Sequence, residues 1–305
     1  DLQETLYAVP SPFSSLRVTS SSLLVPAHKM LKAARASDIV APLAVLGAFT
    51  AIKGFCGLSS ALFKTFLRPG KDLRKRGEWA IITGASDGIG KAYALELAKK
   101  GLSVLLISRT IEKLEAAANE IKQACPEVTV QCLAVDFNSF DAEAQAMISS
   151  SLCGKDIGVL INNVGYTAPP LHLQYLSMAQ INSLVQVNLM STVLMTQAVL
   201  PAMTQQGRGA IVNTASGFGC MPSPLFSLYG ATKAAIIRLS GALAVELEGK
   251  GISVQCQVPC MVATKMGSLL VTQAAGMPDG PGPFHLCKAH VQRFEQDSGG
   301  GVRRE

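Results

Sequence analysis

Two side chains at helical spacing carry the first chemical signal. Tyr229 and Lys233 stand four residues apart on a predicted helix, so they share one face. Ser216 precedes Tyr229 by 13 residues, just after a predicted strand. A third group is the run Thr83-Gly84-Ala85-Ser86-Asp87-Gly88-Ile89-Gly90, between an apolar strand and an amphipathic helix. Its glycines allow a tight turn and close backbone approach, and the helix N-terminus offers free N–H groups to a pyrophosphate. Each feature alone is common: a Tyr/Lys pair occurs on many surface helices, and a Gly-rich turn can be only a turn. Strand, turn and helix in that order are the context a dinucleotide site requires.

The elements that must hold these groups alternate along the chain. Apolar runs at Trp79–Thr83, Ser103–Ile107, Val128–Val135, Val159–Ile161, Ala210–Thr214 and Ser253–Gln257 read as strands. Helical patterns lie between them: Lys91–Lys100, Ile111–Ala124, Ala142–Ser150, Met178–Gln205 with Pro201 near its end, and Ser227–Lys250. Continuous apolar strands alternating with helices predict an α/β fold, a Rossmann-type doubly wound parallel sheet with helices on both faces. In such sheets an acid ending the second strand accepts from the ribose 2′-OH, whereas an Arg accommodates a 2′-phosphate. Here that strand ends Ile107-Ser108-Arg109, which favours NADPH over NADH; the alternative is that Arg109 is a solvated loop cation.

Composition narrows the classes. Of 305 residues 49% are hydrophobic and 16% charged, which rules out a disordered chain. The net charge of +6 is local: residues 1–77 hold 11 of the 27 basic residues and 4 of the 21 acidic ones. The near-neutral remainder argues against nucleic acid as a partner. Eight cysteines without a C-x-x-C pair suggest neither a disulfide scaffold nor zinc, so no metal is expected. Cys256 and Cys260 are read as packing residues rather than redox partners.

The N-terminal third divides further. Residues 1–37 form an extension of Ser, Leu and Pro-rich sequence, read either as a transit peptide or as an extension ahead of a start at Met30. Residues 38–67 are the most apolar stretch, interrupted by Lys53, and are expected to form a membrane-anchor helix; the alternative is a buried or interfacial helix. Residues 68–77 are a basic linker, and basic residues beside a membrane segment stay cytosolic. Residues 78–270 form the expected NADP-binding reductase domain. Residues 271–305, rich in Gly and Pro, read as an aberrant or disordered tail without a final helix and strand, as in a truncated chain.

Thr83-Gly84-x-x-x-Gly88-Ile89-Gly90, Asn162-Asn163-Val164-Gly165, Asn188, Ser216 and Tyr229-x-x-x-Lys233 together resemble the short-chain dehydrogenase/reductase family, over roughly residues 78–266. The segments Arg68–Ala80, Asp87–Tyr93 and Gln255–Met266 resemble more closely the membrane-bound very-long-chain 3-oxoacyl-CoA reductases. The 17β-hydroxysteroid dehydrogenases of types three and twelve are similar too. The resemblance implies hydride transfer from NADPH to a 3-keto carbon during fatty-acid elongation, at the endoplasmic reticulum membrane with the catalytic domain cytosolic. Tyr229 would be the general acid, Lys233 would lower its pKa and hold the ribose, and Ser216 would fix the carbonyl. Asn188 would hold a water linking Lys233 to solvent. Gly84, Ser86, Asp87, Gly88, Ile89, Gly90, Arg109, Asp136, Asn163, Gly165, Val262 and Thr264 would complete the cofactor site. The implied partners are an acyl-CoA or steroid, a membrane, elongation-complex proteins and a second copy in a homodimer. The family's common Pro-Gly after the sixth strand is Pro259-Cys260 here. A hydroxysteroid dehydrogenase, or a catalytically weak cofactor-binding scaffold, remains the alternative.

Overall fold

The computed structural model describes residues 36–62, 72–260 and 262. The chain divides into two compact units, the first ending at Phe63 and the second beginning at Lys64.

In the first unit, helix α1 spans Ala36–Leu62. Among its described side chains the large apolar ones, Val40, Leu43, Val45, Leu46, Phe49, Ile52, Phe55 and Leu58, are exposed. A helix apolar on every side is not one that packs a single face onto a soluble core. Lys53 extends back over the Phe49 ring at 5.3 Å.

In the second unit, six parallel strands run in the order β3-β2-β1-β4-β5-β6. They are β1 Trp79–Thr83, β2 Ser103–Ser108, β3 Val130–Ala134, β4 Ile157–Asn162, β5 Gly209–Thr214 and β6 Ile252–Gln257. β1 and β4 are the central pair, in register from Ala80↔Val159 to Ile82↔Ile161. β4 is buried throughout, which its unbroken apolar sequence requires. Edge strand β3 buries Val130 and leaves Gln131 and Ala134 exposed.

The helices cover both faces. Ala80, Ile82, Val104, Leu106 and Val159 pack against Tyr93 and Leu97 of α2 (Gly88–Lys99) and against Leu114 and Ile121 of α3 (Ile111–Ala124). Ile81, Leu105, Leu160 and Ile211 pack on the other side. They meet Ile148 of α4 (Ala142–Leu152) and Met195, Val199 and Met203 of α6 (Ser191–Gln206). Helix α7 (Ser227–Glu246) carries Tyr229 and Lys233.

The helix expected across 178–205 is built in three parts. α5 (Met178–Val185) opens with a capping box between Ser177 and Gln180. A π-helical turn, Gln186–Met190, follows, and α6 continues from it with Pro201 inside. One wide turn leaves the apolar periodicity nearly intact, so the sequence reads as one helix. α7 ends at Glu246 rather than Lys250, ahead of Gly249 and Gly251, both at positive φ.

The end of the expected linker is part of the folded unit. Asp72 caps a 3₁₀ turn at Leu73–Arg76, and Leu73 is 1% exposed within the core. A Cβ on Gly77 would fall 2.5 Å from Gly158 N. Arg76 donates to the carbonyls of Gly209 at 3.2 Å and Gly251 at 2.7 Å. Burial lowers the Arg76 pKa. Residues 1–35, residues 68–71 of the linker, the 271–305 tail and the final helix and strand expected to be absent lie outside the described residues.

Candidate active site

The strand order reverses direction between β1 and β4, so a crevice opens at their carboxyl ends. Thr83 ends β1 and is fully buried. Its hydroxyl accepts from the N–H groups of Asn163 at 3.0 Å and Val164 at 3.2 Å, tying the two central strands together where the crevice begins. Gly84 follows at φ +66°. A Cβ there would come 2.9 Å from Val164 Cα. A Cβ on Gly90 would run into the Gly84 carbonyl and sit 2.6 Å from Asn163 Nδ2. Asn163 itself donates to that carbonyl at 3.3 Å. The turn is therefore a backbone-lined cradle that only glycine at these positions permits, with the N-terminus of α2 facing it.

The remaining turn residues stand close by. Asp87 caps α2, accepting from Gly88 N at 2.8 Å. The Ser86 and Ser108 hydroxyls are 3.1 Å apart, linking the turn to the end of β2. Gly88 has φ +58°, and Ile89 is half-buried within the first turn of α2. Arg109 follows β2 directly and is exposed. Asp136, after β3, accepts from Asn138 N at 2.9 Å. Gly165 is half-buried in the segment after β4, and Val262 is 8% exposed. Thr264 lies outside the described residues. The glycine cradle, the helix N-terminus and an exposed Arg in place of an acid fit the diphosphate and 2′-phosphate of NADPH.

Ser216, Tyr229 and Lys233 meet on the far side of the crevice. Ser216 caps a 3₁₀ turn, Gly217–Gly219, just beyond β5, and its hydroxyl accepts from Phe218 N at 3.3 Å. Tyr229 is 7% exposed and packs edge-on to Phe218, with ring centroids 6.0 Å apart. Burial raises the Tyr229 pKa, and a hydrogen bond with Ser216 partly opposes it. A phenol raised in this way is a protonated acid at neutral pH. Lys233 Nζ lies 5.8 Å from the centre of the Tyr229 ring and donates to Thr214 O at 3.0 Å. Burial lowers the Lys233 pKa to about 8, opposed by the neighbouring Cys256.

Asn188 sits in the π-helical turn and is buried. Its Oδ1 accepts from Tyr166 N at 2.7 Å; its Nδ2 donates to Tyr166 O at 2.9 Å and to Thr232 Oγ1 at 3.3 Å. This side chain clamps the segment after β4 onto α7, one residue from Lys233.

Several supporting residues were not anticipated. Asn162 and Asn213 are register partners at the ends of β4 and β5. Asn162 Nδ2 donates to Thr196 Oγ1 at 3.0 Å and to Asn213 Oδ1 at 2.9 Å. Asn213 Nδ2 donates to Ser240 Oγ at 3.0 Å. Ser240 and Lys233 both oppose the rise that burial causes in the Cys256 pKa. This row ties α6 and α7 to the central strands. The signal available in the sequence was Asn ending two strands that are otherwise apolar.

An apolar crevice reaches Tyr229. It is lined by Ala168, Leu176, Leu184, Leu225 and Phe226, with Pro169, Ser227 and Leu228 at its edges. Leu225 takes φ +66°, a left-handed conformation unusual for a branched residue, and turns the chain into α7 there.

The model for short chain dehydrogenases matches residues 78–275. A 17-beta-hydroxysteroid dehydrogenase type 3 from Rattus norvegicus is 45% identical over 217 residues, 70% of this chain and 70% of that protein. A very-long-chain 3-oxoacyl-CoA reductase from Homo sapiens is 43% identical over 219 residues, 71% of this chain and 68% of that protein. Among solved structures, a short-chain dehydrogenase from Sphingobium yanoikuyae in complex with NADPH superposes with a TM-score of 0.65 at 32% identity. That match covers 72% of this chain and 84% of the other. Sheet order, the glycine cradle and these likenesses agree, and the chain is an oxidoreductase belonging to the short-chain dehydrogenase/reductase family.

Proposed function

We propose that the protein reduces a 3-oxoacyl-CoA to the 3-hydroxyacyl-CoA with NADPH, in very-long-chain fatty-acid elongation. The observation that carries this is a buried Ser216–Tyr229–Lys233 group beside a crevice with apolar walls. The human reductase at 43% identity supports the substrate class. Bound NADPH would supply the hydride, with Gly84, Ser86, Asp87, Gly88, Ile89, Gly90, Arg109, Asp136, Asn163, Gly165, Val262 and Thr264 as its holding residues. Ser216 orients the ketone oxygen. Tyr229, kept protonated by burial, delivers the proton to that oxygen as it gains charge. Lys233, protonated below about pH 8, stabilises the resulting phenolate and binds the ribose. Asn188 is a positioning residue acting through Thr232.

α1 anchors the protein in the endoplasmic reticulum membrane with the reductase unit (residues 78–270) in the cytosol. Its exposed apolar residues suit lipid on all sides. A homodimer through α6 and α7, and contacts with elongation proteins, complete the reading. A second reading, oxidoreduction at C17 of a steroid, is favoured by the 45% identity to the rat enzyme.

The deciding experiment offers a long-chain 3-oxoacyl-CoA and a 17-ketosteroid separately to membranes carrying this chain, following NADPH oxidation. Turnover of the thioester that disappears in Tyr229→Phe supports the first reading. Turnover of the steroid alone overturns it in favour of the second.

A further inference from the structure

Between Asp156 and Lys233 the only Asp, Glu, Lys or Arg is Arg208. Arg208 lies just before β5 and pairs with Asp156 at 2.9 Å, just before β4, at the end of the sheet away from the crevice. Everything this stretch contributes around the crevice is therefore without formal charge. Two of its segments carry large apolar side chains outward. After β4 these are Leu173, Tyr175 and Met178, 57–68% exposed; after β5 they are Met221 and Leu225, 60% and 41% exposed. Among the described residues outside α1, eight large hydrophobics are exposed, and these five are the majority. The two segments are joined: Leu171 N–H donates to Leu225 O at 3.1 Å. The crevice to Tyr229 opens between them, with Leu176 from one and Leu225 from the other in its walls.

We infer that this rim is a membrane-docking surface, which seats the mouth of the active site against the lipid of the bilayer to which the protein is anchored. The inference rests on the membrane association proposed above and not on which substrate is reduced. A contiguous apolar patch beside a cleft marks an interaction surface. Three features select lipid as the occupant. The two segments bring no Asp, Glu, Lys or Arg of the kind that a protein partner or an anionic headgroup would be expected to meet. It carries an exposed Tyr, the residue type that lies at the lipid–water boundary. It continues inward as a narrow apolar crevice lined by Leu176, Leu184, Leu225 and Tyr229, so the surface that meets lipid is continuous with a wall of the site.

The test uses the full chain in phosphatidylcholine nanodiscs. Trp79 is the only tryptophan and starts β1, at the opposite end of the sheet, so it is an internal reference. Tyr175→Trp and Met221→Trp each add a reporter on the rim. With bromine on the acyl chains, each added Trp is expected to lose most of its emission while Trp79 keeps its own. Equal emission with brominated and plain lipid overturns the proposal. In that event, protection of the added Trp from a soluble quencher that depends on protein concentration assigns the rim to a second copy, and concentration-independent protection assigns it to the rest of the chain. In a second arm, the double variant Leu173→Glu/Met221→Glu is expected to raise KM several-fold for a long-chain thioester delivered in vesicles, leaving kcat/KM for a short soluble one unchanged. Equal loss on both overturns the docking role. Lipid quenching on a protein inactive toward thioesters overturns only the substrate reading.

Discussion

The two ends of the parallel sheet are built from the same six strands and treated in opposite ways. At the amino end charge is used freely. Arg76 holds the Gly209 and Gly251 carbonyls, Arg208 pairs with Asp156, and Lys155 sits 4.8 Å over the Trp79 ring. At the carboxyl end, Thr83 bonds the backbone after β4, Asn162, Asn213 and Ser240 form a neutral row, and the buried Lys233 ammonium donates to Thr214 O. One end spends its polar groups on locking the chain. The other keeps a proton donor and a cation in an environment that costs stability. Damage to the two ends should therefore be separable into lost turnover and lost stability.

The largest expected effect is at the carboxyl end. Tyr229→Phe should lower turnover by about 10²–10⁴, the usual contribution of a general acid, with NADPH affinity and unfolding midpoint nearly unchanged. Steady-state kinetics beside a denaturant melt would reveal it, and a fall in both together would erase the contrast. Lys233→Met comes next and should move the two quantities in opposite directions. Turnover falls, while stability at neutral pH rises by up to roughly 3 kcal/mol, from a pKa displaced from 10.5 to about 8. The unfolded chain keeps this proton up to about pH 10.5, whereas the folded chain releases it near 8. Wild-type stability therefore gains from this group as pH rises from 8 to 10.5, and the advantage of Met is full below pH 8 and vanishes above 10.5. Melts at pH 7 and pH 10 would expose the difference. The wild-type rate of reduction should also fall as pH climbs through about 8, where Lys233 loses its charge.

At the amino end the order inverts. Arg76→Ala takes the guanidinium donor from the Gly251 carbonyl and from Gly209 O, which the Ser253 hydroxyl also reaches at 3.4 Å, and should cost about 1–3 kcal/mol with kcat unchanged per folded molecule. Arg208→Gln removes a half-exposed ion pair and should cost less than about 1 kcal/mol, shrinking further in salt. A change in kcat from either would mean that the two ends are coupled.

The sequence carried the strand–helix alternation because buried parallel strands leave long apolar runs: β1 and α3 have the bounds their patterns predict. Ser216, Tyr229 and Lys233 could be singled out because helical spacing and a strand end are local properties. Three features were not legible. The basic cluster before β1 was read as a membrane flank, yet Arg76 turns into the fold, and composition does not say which of several Arg residues is buried. The Tyr229 pKa depends on desolvation, which arises only once Phe218 packs on it. The Asn162–Asn213 row depends on strand register between segments far apart in the chain.

The π-helical turn at Gln186–Met190 has a consequence that no side-chain substitution reaches. It holds one more residue than an α-turn would need, and the wide turn takes up that residue while α5 and α6 stay nearly in phase. Deleting Gln186 or Val187 would close the turn to a regular helix and displace the residues of the turn itself. Asn188 would come away from Tyr166 and Thr232, although its side chain was still encoded. Two exposed turns give the contrast. One residue added or lost near Gly154 or Gly249, where an added Cβ would meet nothing within 4 Å, should be absorbed locally. This part of the site is specified by arithmetic along the chain, so a length-scanning library would find its sharpest intolerance between Gln186 and Met190.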